Sequence, residues 1–316
     1  MDFTLFLTFL VGLIAATLRM ATPLIYATIG EVYTERAGIL NLGIEGIMFL
    51  GAFAGFAVAY KANEAGFSGT YLWLGLLGAV VSGIVMSLLM GFFSVTLGVN
   101  QHVAGLGITL LSMGLSLFGF RLVFGESSVL PSIDSFGQFS LFGDLPGLGP
   151  IFNQYLLTYI AFIILVPLAS WGLNHTSFGL QLRAVGENPE AADAAGVNVF
   201  RTRYLALIIG GALMAVGGAF LSLAQLGAFS PGIIAGRGWV SIALVIFANW
   251  KPVRAMWGAL LFGGVAALQL RLQTTGLALP YEVFLALPYL ATIIALAIAG
   301  RNAAYPGAYL KPYRRE

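Results

Sequence analysis

The polar residues of this chain are gathered into a few clusters between long apolar runs, so any chemistry must occur there. The first cluster is Glu35-Arg36-Ala37-Gly38-Ile39-Leu40-Asn41-Leu42-Gly43-Ile44-Glu45-Gly46, which leads straight into an apolar run. The second is Asn100-Gln101-His102, followed by Gly105 and Gly107, and the third is Gly236-Arg237-Gly238-Trp239. Amides, a carboxylate and a guanidinium beside glycine-rich backbone suit hydrogen bonding to a permeating solute, because flanking glycines let a helix break and turn its backbone toward a path. A charged side chain at the centre of a membrane helix costs about 2.5 to 3.5 kcal/mol, so at that depth Glu45 needs a partner or lines a path. At the interface it would only cap a helix. His102 reads as interfacial, and Arg237 can also snorkel outward past Ser230-Pro231.

Catalytic and metal chemistry find no footing. The three lysines, Lys61, Lys251 and Lys311, never follow a glycine, so there is no Walker A loop. His102 and His175 are far apart, cysteine is absent, and the apolar runs carry no carboxylates paired at i, i+3 or i+4. No catalytic residue, no metal site and no cofactor held by this chain are expected.

One further cluster has different chemistry. Gly186-Glu187-Asn188-Pro189-Glu190-Ala191-Ala192-Asp193-Ala194-Ala195-Gly196 reads as a helix of about two turns with both ends marked. Asn188 is a good N-cap, Pro189 fits the first helical position, Glu190 complements the helix dipole, and Gly196 can take the left-handed conformation that stops a helix. So short a helix is marginal alone in water, so it gains stability by lying against something else; another protein is the expected partner.

The elements that position these clusters follow from composition. The 316 residues are 59% hydrophobic and 9% charged, against about 25% charged in a soluble domain. Apolar segments of about 20 residues recur throughout, which predicts an all-α, polytopic transmembrane bundle of roughly eight to ten spans. Phe3 to Ile29, interrupted by Arg19 and Pro23, is either one long kinked span or a span plus a half-helix. The whole chain, 1–316, forms a single membrane domain: an N-terminal half over 1–172, a polar loop over 173–203, and a C-terminal half with its tail over 204–316. Arg183, Arg201 and Arg203 in the loop, Lys251 and Arg254 in a later turn, and Arg301, Lys311, Arg314 and Arg315 in the tail fall on one side by parity. The excess of basic residues predicts that this side, with the C-terminus, is cytoplasmic, and places the Gly125 to Pro150 segment outside. Arg271 runs against the trend. A net charge of +2 without a basic run gives no sign of nucleic acid. Gly51 and Gly55, and Gly83, Ser87 and Gly91, form small-residue faces for helix packing.

Taken together, the Glu35 to Gly46 stretch with Gly51-Ala52-Phe53, the Val99-Asn100-Gln101 entry, the Gly186 to Gly196 loop and Gly236-Arg237-Gly238-Trp239 resemble the permease subunits of bacterial ABC importers. The nearest branch is nucleoside-type, related to the ribose and branched-chain amino-acid permeases. The resemblance implies a multi-pass subunit of the inner membrane, in contact with membrane lipid, that works with a second permease subunit, a cytoplasmic ABC ATPase and an extracytoplasmic solute-binding protein. ATP and Mg would belong to the ATPase, which would grip the loop at Gly186, Asn188, Pro189, Ala191, Ala192, Ala195 and Gly196. Asn41, Glu45, Asn100 and Arg237 match polar motif positions of that family, and with Gln101 and Trp239 they are the residues expected along the translocation path. An ion-coupled secondary transporter using Glu45 is the alternative reading.

Overall fold

Without water to bond the backbone, a chain this apolar can satisfy its N–H and C=O groups only inside helices. The computed structural model describes residues 3–125, 130–141, 147–273, 281–299 and 303–314. Helix α1 (Phe3–Arg36) is followed by α2 (Ile44–Glu64), α3 (Tyr71–Thr96) and α4 (Gln101–Phe124). Next come α5 (Leu156–His175), α6 (Ser177–Glu187), α7 (Pro189–Ala194) and α8 (Val199–Leu226). Helices α9 (Arg237–Ala248), α10 (Pro252–Gln273) and α11 (Tyr281–Ala299) complete the order. Among the described residues seven helices are long and apolar enough to cross a membrane, and two shorter apolar helices accompany them, against the eight to ten spans expected. Strands β1 (Gln138–Ser140) and β2 (Asn153–Tyr155) pair antiparallel, with Gln138 opposite Tyr155.

Several boundaries differ from those read in the sequence. Helix α1 is one continuous span through Pro23. Arg19 does not interrupt it, because its Nε donates to Gln154 Oε1 at 3.3 Å. Because α1 continues to Arg36, Glu31 and Glu35 become an i, i+4 carboxylate pair within a span, which the sequence reading had excluded. Arg271 lies inside α10 rather than in a loop, where its Nη1 donates to the Phe9 carbonyl at 3.2 Å. The stretch 173–203 is mostly helical: it holds the end of α5, all of α6 and α7, and the start of α8. Arg301 and Arg315 of the predicted tail lie outside the described residues.

Helix α8 lies at the centre and packs against α1, α2 and α3 through small residues. A Cβ on Gly51 of α2 would lie 2.5 Å from the Ala215 carbonyl oxygen of α8, so glycine is what allows the two backbones to meet. Two irregular links interrupt this packing, 37–43 between α1 and α2 and 227–236 between α8 and α9. Helix α9 has 12 residues, about 18 Å of rise, which is short of the ~30 Å hydrocarbon thickness. It is a half-helix.

Candidate functional site

The site begins where the two irregular links approach each other. The first N–H groups of α9 have no acceptor within their own helix, and Gly236, its N-cap at φ 80°, has no side chain to supply one. Glu45, in the first turn of α2, supplies it from another element. Its Oε1 accepts from the Gly236 N–H at 2.8 Å and its Oε2 from the Gly238 N–H at 2.7 Å. A carboxylate on a helix N-terminus is electrostatically favourable as well as hydrogen-bonded. The approach requires glycine, since a Cβ on Gly238 would stand 2.6 Å from the Glu45 Cα. Glu45 is 4% exposed, so it caps a helix while buried. Both options read from the sequence, a cap and a buried carboxylate with a partner, meet in one residue.

Arg237 closes the carbonyl side of the same link, donating from Nη1 to Ile233 at 3.1 Å and to Ile234 at 2.8 Å. It also lines a cavity of about 250 Å³ with Gln269, Tyr289 and the apolar side chains of Leu24, Phe262 and Leu285. Its neighbour Trp239 is 40% exposed.

The 37–43 link is held in the same manner. Asn41 is buried; its N–H donates to Glu31 Oε1 at 2.8 Å and its Oδ1 accepts from the Gly43 N–H at 3.0 Å. Gln101 belongs to α4, where its Oε1 accepts from the Leu40 N–H at 2.8 Å and its Nε2 donates to the Gly38 carbonyl at 3.5 Å. Thr109 donates to the Leu42 carbonyl at 2.9 Å. Asn100, by contrast, is exposed and caps α4, accepting from the His102 N–H at 2.9 Å. The structure therefore gathers Asn41 and Gln101 on one link and Glu45 and Arg237 on the other, and leaves Asn100 and Trp239 at the surface.

Sequence reasoning missed a second polar centre beneath the first link. Glu31 and Glu35 are fully buried one turn apart on α1, and Glu35 Oε1 has no hydrogen-bond partner among the described residues. Glu31 also accepts from the Thr34 hydroxyl at 2.9 Å, and Glu35 Oε2 from the Trp250 indole N–H at 2.7 Å. Arg203, also buried, donates to the Ala37 carbonyl at 3.2 Å and the Lys311 carbonyl at 3.3 Å. Tyr309 faces this pair, and burial together with the two carboxyl groups raises its phenol pKa above the ordinary value. The i, i+4 spacing of Glu31 and Glu35 was the available signal, hidden by ending the first span too early.

The surface helix α7 has the ends predicted for it. Asn188 Oδ1 accepts from the Ala191 N–H at 3.0 Å, and Pro189 opens the helix. Gly196 takes φ 86°; its N–H reaches the Asp193 carbonyl at 2.9 Å and the Val197 N–H reaches Ala192 at 3.0 Å, a Schellman closure. The alanines divide by face. Ala192 is 5% exposed and packs inward with Val185 and Val199. Ala191 and Ala195 are exposed, and with Leu180, Ala184, Val197 and the floor residue Ala192 they line a groove of about 570 Å³. Gly186 is buried against the end of α1 and its carbonyl accepts from the Ala308 N–H at 2.8 Å. Ala192 and Gly186 therefore hold the loop together from inside, and Ala191 and Ala195 present it outward.

Comparison with known proteins bears on this arrangement. A family model described as branched-chain amino acid transport system / permease component matches residues 13–296. The chain is 39% identical to a putative glucose ABC transporter permease, TsgC13 of Haloferax volcanii, over 98% of this chain and 99% of that protein. It is 37% identical to the nucleoside ABC transporter permease NupC of Lactococcus lactis, over 90% and 91% of the two chains. It is 34% identical to the guanosine ABC transporter permease NupQ of Bacillus subtilis, over 95% and 96%. Each of these organisms also holds a more distant permease relative, at 26%, 22% and 24% identity. No solved structure matches the chain.

Proposed function

The chain belongs to the branched-chain amino acid transport system / permease component family, and on that premise we propose that it imports nucleosides or a similar small polar solute. It is a multi-pass membrane permease subunit of an ABC transporter, a transport component whose ATP hydrolysis belongs to a separate subunit. The relatives named for glucose, nucleosides and guanosine support a hydroxyl-rich solute of that size. That they occur with second, more distant permeases supports a heteromeric membrane pair, the partner being a related chain. An extracytoplasmic binding protein would deliver the solute, and the ATPase, carrying ATP and Mg, would sit on the cytoplasmic side with the C-terminus. The ion-coupled alternative draws no support from these relatives.

The observation that carries the mechanical part is the outward alanine face of a doubly capped helix. Ala191 and Ala195 border an apolar groove, and α7 is tied through Ala192 and Gly186 to the ends of α8, α6 and α1. A push on α7 would thus reach the helices that carry both irregular links. Asn41, Glu45 and Gln101 brace those links, and the half-buried Arg237 and the exposed Trp239 and Asn100 would face the path. The test is uptake of labelled nucleosides by proteoliposomes holding both permeases, the ATPase and the binding protein. ATP-dependent uptake is expected. Uptake that ignores ATP and follows a proton or sodium gradient would overturn the reading.

A further inference from the structure

A second cavity lies where the ends of α1 and α5, the middle of α6 and the α9–α10 turn meet. It measures about 520 Å³, and its polar lining is Arg36, Ser170, Asn174, Arg183, Lys251 and Arg254. Four of those six are cationic, and no carboxylate lines it. Arg36 and Arg183 lie close enough to repel each other. Each is anchored through Nε, Arg36 to the Trp250 carbonyl at 3.4 Å and Arg183 to the Gly179 carbonyl at 3.3 Å. Among the described residues no carboxylate comes within ion-pair distance of any of the four. Glu187, which faces Arg36, is turned to the Gly307 N–H at 3.4 Å. Four like charges around one cleft repel, and an anion between them turns that repulsion into attraction. The first turn of α10 opens beside the cleft and adds the partial positive charge of a helix N-terminus.

The surroundings identify the class of anion. Trp171, next to Ser170, is 56% exposed, and Trp257, one turn after Arg254, is 62% exposed. Leu168 and Leu261, one turn further along α5 and α10 in the apolar direction, are exposed too. Tryptophans on exposed faces of spans sit at headgroup level, with leucines beyond them facing acyl chains. A basic cleft between helices at that level has the chemistry of a phosphate diester held by guanidinium and ammonium groups. We propose that this cleft binds the headgroup of an anionic phospholipid, joining α1, α5, α6 and the α9–α10 turn.

The test uses the purified full-length chain in nanodiscs of phosphatidylcholine doped with phosphatidylglycerol, with retained lipid read by native mass spectrometry. Preferential retention of phosphatidylglycerol is expected, reduced on the order of tenfold or more in an Arg183→Gln/Arg254→Gln variant, given about 1 kcal/mol per basic residue near an anionic surface. Lys251→Gln, at an exposed position, serves if the double variant does not assemble, and lowers retention less. Equal retention of both lipids by the native chain, or unchanged retention in the variants, overturns the proposal. Displacement of the lipid by inorganic phosphate or glycerol phosphate at equal headgroup concentration would assign the cleft to a soluble anion instead. Loss of ATPase copurification in the variants with lipid retention intact would make it a protein-docking surface, again against the proposal.

Discussion

Glu45 accepts two backbone N–H groups that no other side chain among the described residues reaches, and that fact sets what its replacement does. Glu45→Ala strands both donors in a buried site, at roughly 1 to 3 kcal/mol each. Thermal unfolding of the purified protein in detergent should show that loss. Glu45→Gln keeps one acceptor and turns an amide donor toward the second N–H, so its destabilisation should fall between native and alanine, with uptake reduced more than membrane assembly. Native melting and native uptake in Glu45→Ala would mean that the cap contributes nothing. A different outcome is expected at Glu35. Two buried carboxyl groups one turn apart on a helix are compatible with burial when they carry one proton between them. The amide of Glu35→Gln can stand in for that proton, donating to Glu31 while still accepting from Trp250. Glu35→Gln should therefore melt within about 1 kcal/mol of native, while Glu35→Ala, which deserts the buried indole N–H, should lose roughly 1 to 3 kcal/mol. Equal melting of the two variants would contradict this account of the pair.

At the scale of the element, successive residues of α7 differ in burial: Ala192 is buried at the floor of the groove and Ala191 is exposed at its side. Ala192→Trp drives a large side chain between Val185 and Val199 and should lower the yield of folded protein, since overpacking a filled site costs about 1 to 3 kcal/mol. Ala191→Trp points into the open groove and should leave expression unchanged while reducing ATPase copurification and solute-stimulated hydrolysis together. Full stimulated activity in Ala191→Trp would remove α7 from the coupling role. Gly196, at φ 86°, has open space around the position of a Cβ. Gly196→Ala should therefore cost only the backbone penalty of about 1 to 2 kcal/mol, confined to the end of α7.

For the molecule as a whole, the C-terminal segment fixes which ends lie together. Ala308 N–H donates to Gly186, Leu310 N–H to Gly38, and the Tyr313 hydroxyl to Asp193. The tail, α6, α7 and the 37–43 link are thus on one side. The 130–141 segment lies at the other end of α8, with the Ile133 N–H donating to Gly227 at 2.8 Å and the Phe136 N–H to Leu223 at 2.9 Å. Cysteines introduced at Glu190 and Arg314 should accordingly be labelled from the cytoplasm and one at Ser135 from outside, using a membrane-impermeant reagent on intact and opened cells. Labelling of Glu190 and Ser135 from the same side would break the arrangement.

The sequence by itself determined the helical membrane class, the course of most spans, and both ends of α7. Those properties follow from local terms: apolar run length, an Asn-Pro start, and a glycine stop. The four separated motifs also carried the permease resemblance. What Glu45 and Gln101 do was decided only by tertiary structure, because each closes backbone groups on a segment distant in sequence, Glu45 nearly two hundred residues away. The inward turn of Ala192, between alanines that face outward, depends on where α8 lies beneath it. Glu31 and Glu35 were legible as a spacing but not as a buried pair. Only the continuation of α1 through Arg36, with Trp250 brought against its end, gives two carboxyl groups a place out of water.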